Sequence, residues 1–272
     1  MSECSHNCSS CSKNCKDRTE IQKDAPNAQS RIKKVVAVMS GKGGVGKSLV
    51  TSAMAVAMQK RGFQTAVLDA DITGPSIPKA FGVKERLFGT AAGIMPADTK
   101  TGVKIVSLNL LLEDESAPVL WRGPVITGTV RQFFSQVCWG DVDYMFIDMP
   151  PGTGDVPLTV FQSLPVDAAI IVTTPQELVG MIVEKAVKMA DMMKVPVLAL
   201  VENMAYFKCP DCQKEYEIFG KSHVAETAKK YGIKTTARLP LSPQTAALCD
   251  AGDVESSDVA AFDALADALE KL

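Results

Sequence analysis

Two sets of residues in this chain combine side-chain type and spacing in ways that support chemistry. The first is Gly41-Lys42-Gly43-Gly44-Val45-Gly46-Lys47-Ser48, which fits the pattern G-x-x-x-x-G-K-[ST]. Glycines there let backbone N–H groups turn inward on a phosphate, and a helix starting at the loop adds partial positive charge. In that role Lys47 reaches the β- and γ-phosphates and the Ser48 hydroxyl binds Mg²⁺. The expected nucleotide contacts run from Gly41 through Leu49. The second set is the cysteines, eight in all. Cys209-Pro210-Asp211-Cys212 is a C-x₂-C pair, half of a four-thiolate site. Two copies about a twofold axis would complete it. A redox dithiol is the competing reading, and it calls for a strand-to-helix junction. Cys4, Cys8, Cys11 and Cys15 follow C-x₃-C-x₂-C-x₃-C, enough for one tetrahedral zinc or one iron–sulfur cluster. The alternative there is a cysteine-rich tail with no stable site, and His6 reads as a bystander. Cys138 and Cys249 stand alone and read as small buried residues, and His223 as structural.

Three aspartates sit where strands should end. Gln64–Asp69 reads as a strand running into Asp69-Ala70-Asp71, and Asp143–Asp148 as a strand ending in the Walker B form. Carboxylates at the C-terminal ends of parallel strands face the ligand crevice of open α/β sheets. Asp71 is the candidate for orienting an attacking water, and Asp69 and Asp148 are the candidates for Mg²⁺. Capping a turn before Pro75 is the plainer alternative, and it suits Asp69 better than Asp71. Asp148 leads into Met149-Pro150-Pro151-Gly152-Thr153-Gly154-Asp155. Prolines and glycines in that density suit a loop with two shapes, in which the Gly152 N–H senses a γ-phosphate.

These residues need a scaffold. Val35–Met39 reads as a buried parallel strand feeding the loop. After it, Leu49, Val50, Ala53, Met54, Ala57 and Met58 recur at helical spacing until Gly62. Further strands are expected at 103–108, 167–173 and 196–201, with helices after Pro124, from Val179 to Ala190 and from Asp258 to Leu272. Asn203 then reads as a turn residue after its strand. Residues 84–102 read as a loop or hairpin excursion. The alternation implies one α/β domain of the P-loop NTPase type, with a mostly parallel sheet of about seven or eight strands and helices on both faces. Residues 1–30 are polar and read as a flexible tail with a candidate metal site. Residues 31–272 form the nucleotide-binding domain, with the C-x₂-C segment near 206–219.

Composition narrows the function classes. A formal net charge of −2 gives no electrostatic reason to expect nucleic acid or an acidic membrane as partner. No apolar run approaches the roughly 20 residues of a membrane span. The N-terminus lacks the apolar core of a secretory signal, so a cytoplasmic location is expected. There, eight cysteines favour metal or redox chemistry over disulfides. The C-terminal stretch puts Val259, Phe262, Leu265, Ala266 and Leu269 on one face, and its charges are mainly acidic, unlike a membrane-surface helix.

The second lysine of the loop, Lys42, gives K-G-G-x-G-K-[ST], which resembles the deviant Walker A motif of the MinD, ParA and nitrogenase-iron-protein superfamily. There the early lysine crosses a dimer interface to the nucleotide of the other subunit. Read physically, Lys42 is otherwise a solvated loop charge. The resemblance implies a nucleotide-dependent homodimer, with Lys42, Lys47 and Asp71 catalytic and Asn203 reading the base. Asp69-Ala-Asp-Ile-Thr-Gly-Pro-Ser76 matches the first switch of that superfamily. Adding Trp121-Arg-Gly-Pro124, Phe146–Asp155, Val201–Met204 and Cys209–Cys212, the chain resembles the Mrp/ApbC family over about residues 33–270. That resemblance implies an ATP-hydrolysing dimer in which Cys209 and Cys212 bridge a [4Fe–4S] cluster between subunits. The cluster comes by way of upstream assembly proteins and passes to apo-proteins. The tail departs from many bacterial members, which lack it, and its spacing differs from that of the eukaryotic scaffolds. Arg122 would contact a partner or a phosphate, or simply precede a helix at the surface. Two other functions are consistent with the nucleotide loop. One is a ParA- or MinD-like switch, for which no basic patch or amphipathic anchor is visible. The other is an electron-donating reductase that keeps its cluster.

Overall fold

The structure, a computed structural model, describes residues 22–71, 76–111, 123–176 and 179–272. Cys4, Cys8, Cys11 and Cys15, His6, half of the first-switch match (residues 72–75), Trp121 and Arg122 lie outside the described residues.

The centre of the domain is β1 (Arg31–Ser40), whose last six residues are buried. Continuous burial on both faces is the mark of a parallel strand covered by helices. β1 pairs in parallel with β7 (Asp141–Asp148) on one side and β8 (Ala168–Thr173) on the other. β7 carries β2 (Thr65–Asp69), which carries β6 (Lys104–Val106). β8 carries β9 (Val197–Lys208), which carries β11 (Thr235–Pro240). These seven strands are all parallel. Two short antiparallel additions, β5 (Ala97–Asp98) on β6 and β10 (Glu215–Tyr216) on β9, bring the described sheet to nine strands. The expectation of about seven or eight thus matches the parallel part, and the excess lies in segments too short to show a period of two. β3 (Phe88–Thr90) and β4 (Gly93–Met95) form the separate hairpin expected within 84–102.

The helices are α1 (Lys47–Lys60), α2 (Ile77–Phe81), α3 (Gly123–Gln136), α4 (Asp155–Ser163), α5 (Val179–Met192), α6 (Val224–Tyr231), α7 (Pro243–Ala251) and α8 (Asp263–Glu270). α1 differs from an ordinary surface helix. Every residue from Val50 to Met58 is buried, including Thr51 and Ser52. A helix apolar on all sides must be covered on all sides. β2 and β7 lie against it from the sheet, and α2, the 3-10 turns at 254–256 and 260–262 and α8 close over it. The acidic residues of α8 have a partner there. Arg61, the C-cap of α1, reaches Asp263, Asp267 and Glu270 at 2.7–2.8 Å.

Two features depart from the sequence reading. Residues 22–30, part of the compositional tail, are tied to the domain. The Asp24 N–H donates to the Ser163 carbonyl at 2.7 Å, its carboxylate pairs with Arg131 at 2.6 Å, and Asn27 donates to the Ala92 carbonyl. Polar side chains and backbone make this docking, so hydrophobicity gives no sign of it. β9 also runs on to Lys208 rather than ending near Glu202. It passes through Met204 in the left-handed region (φ 54°), and Tyr206 beyond the kink pairs with Pro240 of β11.

α2 and α7 both end in left-handed glycines that meet each other. A Cβ on Gly82 would lie 2.6 Å from the Gly252 carbonyl oxygen, and one on Gly252 would lie 2.6 Å from the Gly82 Cα. Both conformations strain an L side chain, and here backbone occupies the space as well. Gly252→Ala is expected to destabilise the protein by about 1–3 kcal/mol through backbone strain alone. The check is the urea midpoint at unchanged m; an unaltered midpoint would show that the two helix ends separate freely.

Candidate nucleotide site and cysteine hairpin

The C-terminal ends of β1, β2 and β7 lie in register, with Val38 opposite Asp148 and Asp148 opposite Asp69. Beyond Ser40 the chain turns through Gly44 (φ 79°) and Gly46 (φ 81°) into α1, with Gly46 as the N-cap. Gly46 is required twice over. Its φ is left-handed, and a Cβ there would sit 2.2 Å from the Asn203 side-chain nitrogen. Asn203, buried at the kink of β9, donates from that nitrogen to the Val45 carbonyl at 2.9 Å. The loop from Lys42 to Leu49 lines a cavity of about 400 Å³ together with Ser40, Asp71, Lys79, Pro151 and Asp250. Gly41 leads into it, and Gly43 lies against Pro151, with 3.8 Å between a Cβ position and the ring.

Asp148, at the end of β7, gathers three partners from α1. Its side chain is wholly buried, and Lys47 Nζ lies 2.8 Å from Oδ1. The Ser48 hydroxyl donates to Oδ2 at 2.6 Å, and the Thr51 hydroxyl donates to Oδ1 at 2.7 Å. Lys47 Nζ also lies 3.8 Å from Asp71 Oδ2, so Lys47, Asp71 and Asp148 converge from three elements. Asp69 is held differently. Ser107 donates to one oxygen at 3.0 Å and the Asp71 N–H to the other at 3.1 Å. Burial, and after it the charge of Asp148, pushes the Asp69 carboxyl well above the usual carboxylate range. Gly152, at φ 88°, donates its N–H to the Ser40 carbonyl at 2.8 Å, which latches the loop after β7 onto the end of β1. The donors fit Mg²⁺. Ser48 and Asp148 present hard oxygens side by side at the start of α1.

Leu49 separates this cavity from a second one of about 160 Å³, whose walls include Ala53, Leu239, Pro240, Leu241 and Phe262. Asn203 supplies the buried carboxamide in this largely apolar wall. Thr51 and Ser107 are site residues that sequence reasoning missed. Thr51 had a legible cue, since it lies four residues after Lys47 and so on the same helical face. Ser107 had none.

The structure places Cys209 and Cys212 away from the cavity, at the turn between β9 and β10. The Cys209 N–H donates to the Lys214 carbonyl and the Gln213 N–H to the Cys209 carbonyl, with Gln213 left-handed at φ 59°. Cys212 is exposed and Cys209 half-buried. The N–H groups of Cys212 and Asp211, followed by the Cys212 thiol, hold the Cys209 thiol below its ordinary range. A hairpin turn is not the strand-to-helix junction of a thioredoxin-type dithiol. Among the described residues no cluster of three or more His, Cys, Asp or Glu is arranged to hold a metal ion. One described chain therefore offers two thiols here. Tyr216 and Ile218, just beyond the pair, are exposed.

Lys47→Ala leaves the Asp148 carboxylate buried without its cation. The nucleotide-free protein should then lose about 3–5 kcal/mol of stability, and Lys47→Ala/Asp148→Asn should recover most of it. Urea denaturation of the three proteins is the check, and equal midpoints for wild type and Lys47→Ala would refute it.

Comparison with known proteins identifies the family. The ParA family profile, described as NUBPL iron-transfer P-loop NTPase, matches residues 31–272. The iron-sulfur cluster carrier protein of Methanocaldococcus jannaschii is 47% identical over 225 residues, covering 82% of this chain and 78% of that one. The iron-sulfur cluster carrier protein of Clostridium perfringens is 46% identical over 219 residues, covering 78% and 77%. Among solved structures, a nucleotide-binding protein from Archaeoglobus fulgidus in complex with ADP superposes with a TM-score of 0.78 at 44% identity, covering 85% of this chain and 91% of that one. The cell-division ATPase MinD of Pyrococcus furiosus shares the fold, with a TM-score of 0.58 at 20% identity and coverage of 88% and 98%. On a profile match across the whole domain and identities of this size, the chain belongs to the NUBPL-type iron-transfer P-loop NTPases of the ParA family.

Proposed function

We propose that the protein binds and hydrolyses ATP as a homodimer, assembles a labile [4Fe–4S] cluster between the Cys209–Cys212 pairs of two subunits, and passes it to apo-proteins. The observation that carries this reading is the course of β9. One strand holds Asn203 against the phosphate loop and, six residues on, delivers an accessible thiol pair with a lowered Cys209 pKa. The cluster carriers of known name at 46–47% identity support it.

In this reading the phosphates lie along the loop from Gly41 to Leu49, and the base enters the apolar cavity beside Asn203. Lys47 leaves Asp148 for the β- and γ-phosphates. Ser48 and Asp148, with Asp69 behind them, would hold Mg²⁺, which neutralises phosphate charge when bound. Asp71, 3.8 Å from Lys47, is placed to orient the attacking water. Lys42 lines the same cavity and serves the nucleotide of the partner subunit. The Gly152 N–H exchanges the Ser40 carbonyl for the γ-phosphate, and the loop changes shape with nucleotide state. Clusters come from upstream assembly proteins in the cytoplasm, and neither nucleic acid nor membrane takes part. Among the described residues no helix is long and apolar enough to cross a membrane. Cys4, Cys8, Cys11 and Cys15 are a candidate second zinc or cluster site.

The test is iron and acid-labile sulfide after anaerobic reconstitution. Wild type should hold about four of each per dimer at the shared site. Cys209→Ala/Cys212→Ala should lose them, and a chain lacking residues 1–21, which keeps the Asp24–Arg131 contact, should retain them. A double variant that loads like wild type would end the bridging-cluster reading. Asp71→Asn should lower kcat for ATP hydrolysis by roughly 100-fold or more while nucleotide still binds. Loaded wild type should activate an apo-acceptor, and an acceptor left inactive with and without ATP would contradict the carrier role.

A further inference from the structure

Glu202 is a buried charge that the proposed function does not use. It precedes Asn203 on β9, opposite Thr173 of β8 and Arg238 of β11. Its side chain is wholly buried, yet neither carboxylate oxygen has a hydrogen-bond partner. Among the described residues the nearest cation is Arg238, whose Nε lies 3.6 Å from Glu202 Oε2, beyond hydrogen-bond reach. The other arm of that guanidinium is engaged elsewhere. Arg238 Nη2 donates to Glu217 Oε1 at 3.0 Å, and Glu217 follows Tyr216 of β10, the strand that closes the cysteine turn. The guanidinium also lies over the Tyr206 ring, 5.7 Å from its centre, and Tyr206 is three residues before Cys209.

One arginine thus faces two carboxylates, one in the middle of β9 and one just past β10. The outer one, on the hairpin, has the hydrogen bond, and the buried one, beside the base-reading asparagine, has an ion pair without one. A buried carboxylate is stabilised chiefly by charge-assisted hydrogen bonds, and the planar fork of arginine can close on it with two. Closing on Glu202 satisfies the buried group and releases Glu217. The strand can make that exchange where it is already bent, at Met204 with its φ of 54°. Asn203 supplies the trigger. In the structure its amide is spent on the Val45 carbonyl, pressed against Gly46. A bound base that recruits this amide shifts the residue next to Glu202.

We propose that Arg238 is a positioning residue coupling the nucleotide site to the cysteine hairpin. It holds Glu217 in one state and closes on Glu202 in the other, so that nucleotide occupancy sets how accessible Cys209 and Cys212 are. The inference rests on the proposed nucleotide role of Asn203 but not on the identity of the cargo. Its coupling runs through a contiguous element with two named arrangements, as a physical account of coupling requires.

The experiment measures alkylation rates of Cys209 and Cys212 in the full-length, iron-free protein, resolved by peptide mass spectrometry, with and without ATP. In wild type ATP should change the rate by about five-fold or more. Arg238→Gln and Glu217→Gln should bring the ratio to one while the protein still binds ATP, with any change in Kd no larger than the lost coupling. Arg238→Lys, which keeps the charge and loses the fork, should restore only part of the response. A wild-type ratio of one, or a wild-type response in both Arg238→Gln and Glu217→Gln, overturns the proposal. Glu217 is half-exposed, so its variant keeps the test valid should Arg238→Gln fail to fold. Iron content on the same proteins separates the two readings. An Arg238-dependent ATP response in a protein that loads no cluster removes the carrier role and keeps the coupling. A loaded protein whose ATP response survives both variants keeps the carrier role and removes the coupling.

Discussion

A buried negative charge organises the nucleotide end of the sheet. Asp148 has no exposed side-chain surface, and such a charge persists only where cations and donors surround it. Lys47, Ser48 and Thr51 all come from the first turns of α1, so satisfying Asp148 fixes where that helix begins. The backbone follows. The Asp148 carbonyl accepts from the Ala70 N–H, which ties the end of β2 to the end of β7. In the proposed role, phosphate binding and folding compete for the same lysine, and a nucleotide displaces contacts that are already good.

The raised pKa of Asp69 belongs to the same economy of charge. Two carboxylates at adjacent strand ends do not both ionise easily in a dry site, and Lys47 lies closer to Asp148. Asp69 accepts from the Ser107 hydroxyl and the Asp71 N–H, whereas Asp148 takes the Lys47 ammonium. The division pairs Asp148 with the lysine and gives Asp69 a share in shaping the Asp71 turn, close to the turn-forming role that its position before Pro75 suggested.

What was legible in the sequence was local or periodic. The phosphate loop, its flanking strand and helix, and aspartates closing apolar runs each occupy a short window whose chemistry is visible by itself. The parallel part of the sheet follows from the alternation of those windows. Long-range polar contacts were not legible. The hydroxyls of Thr51 and Ser107, the Asn203 bond to the Val45 carbonyl, and the meeting of Gly82 with Gly252 join residues 38 to 170 positions apart or hide on a helix face. The extension of β9 escaped for another reason. A left-handed methionine in the middle of a strand is disfavoured locally, and pairing on either side of the kink overrides that preference. The N-terminal cysteine spacing was legible as a motif, and its placement lies outside the described residues.

The enclosure of α1 has a consequence for how the chain is made. The helix that carries Lys47 and Ser48 emerges early in synthesis, yet part of its cover, α8 with the carboxylates that grip Arg61, is translated some 200 residues later. Until then, a face of Val, Ala and Met side chains stands uncovered on a nascent intermediate, the kind of surface that chaperones bind and aggregation exploits. The nucleotide cavity, one wall of which comes from Cys249 and Asp250, is completed in the same late interval. The candidate nucleotide site is therefore finished long after its motif, Gly41–Ser48, has been made.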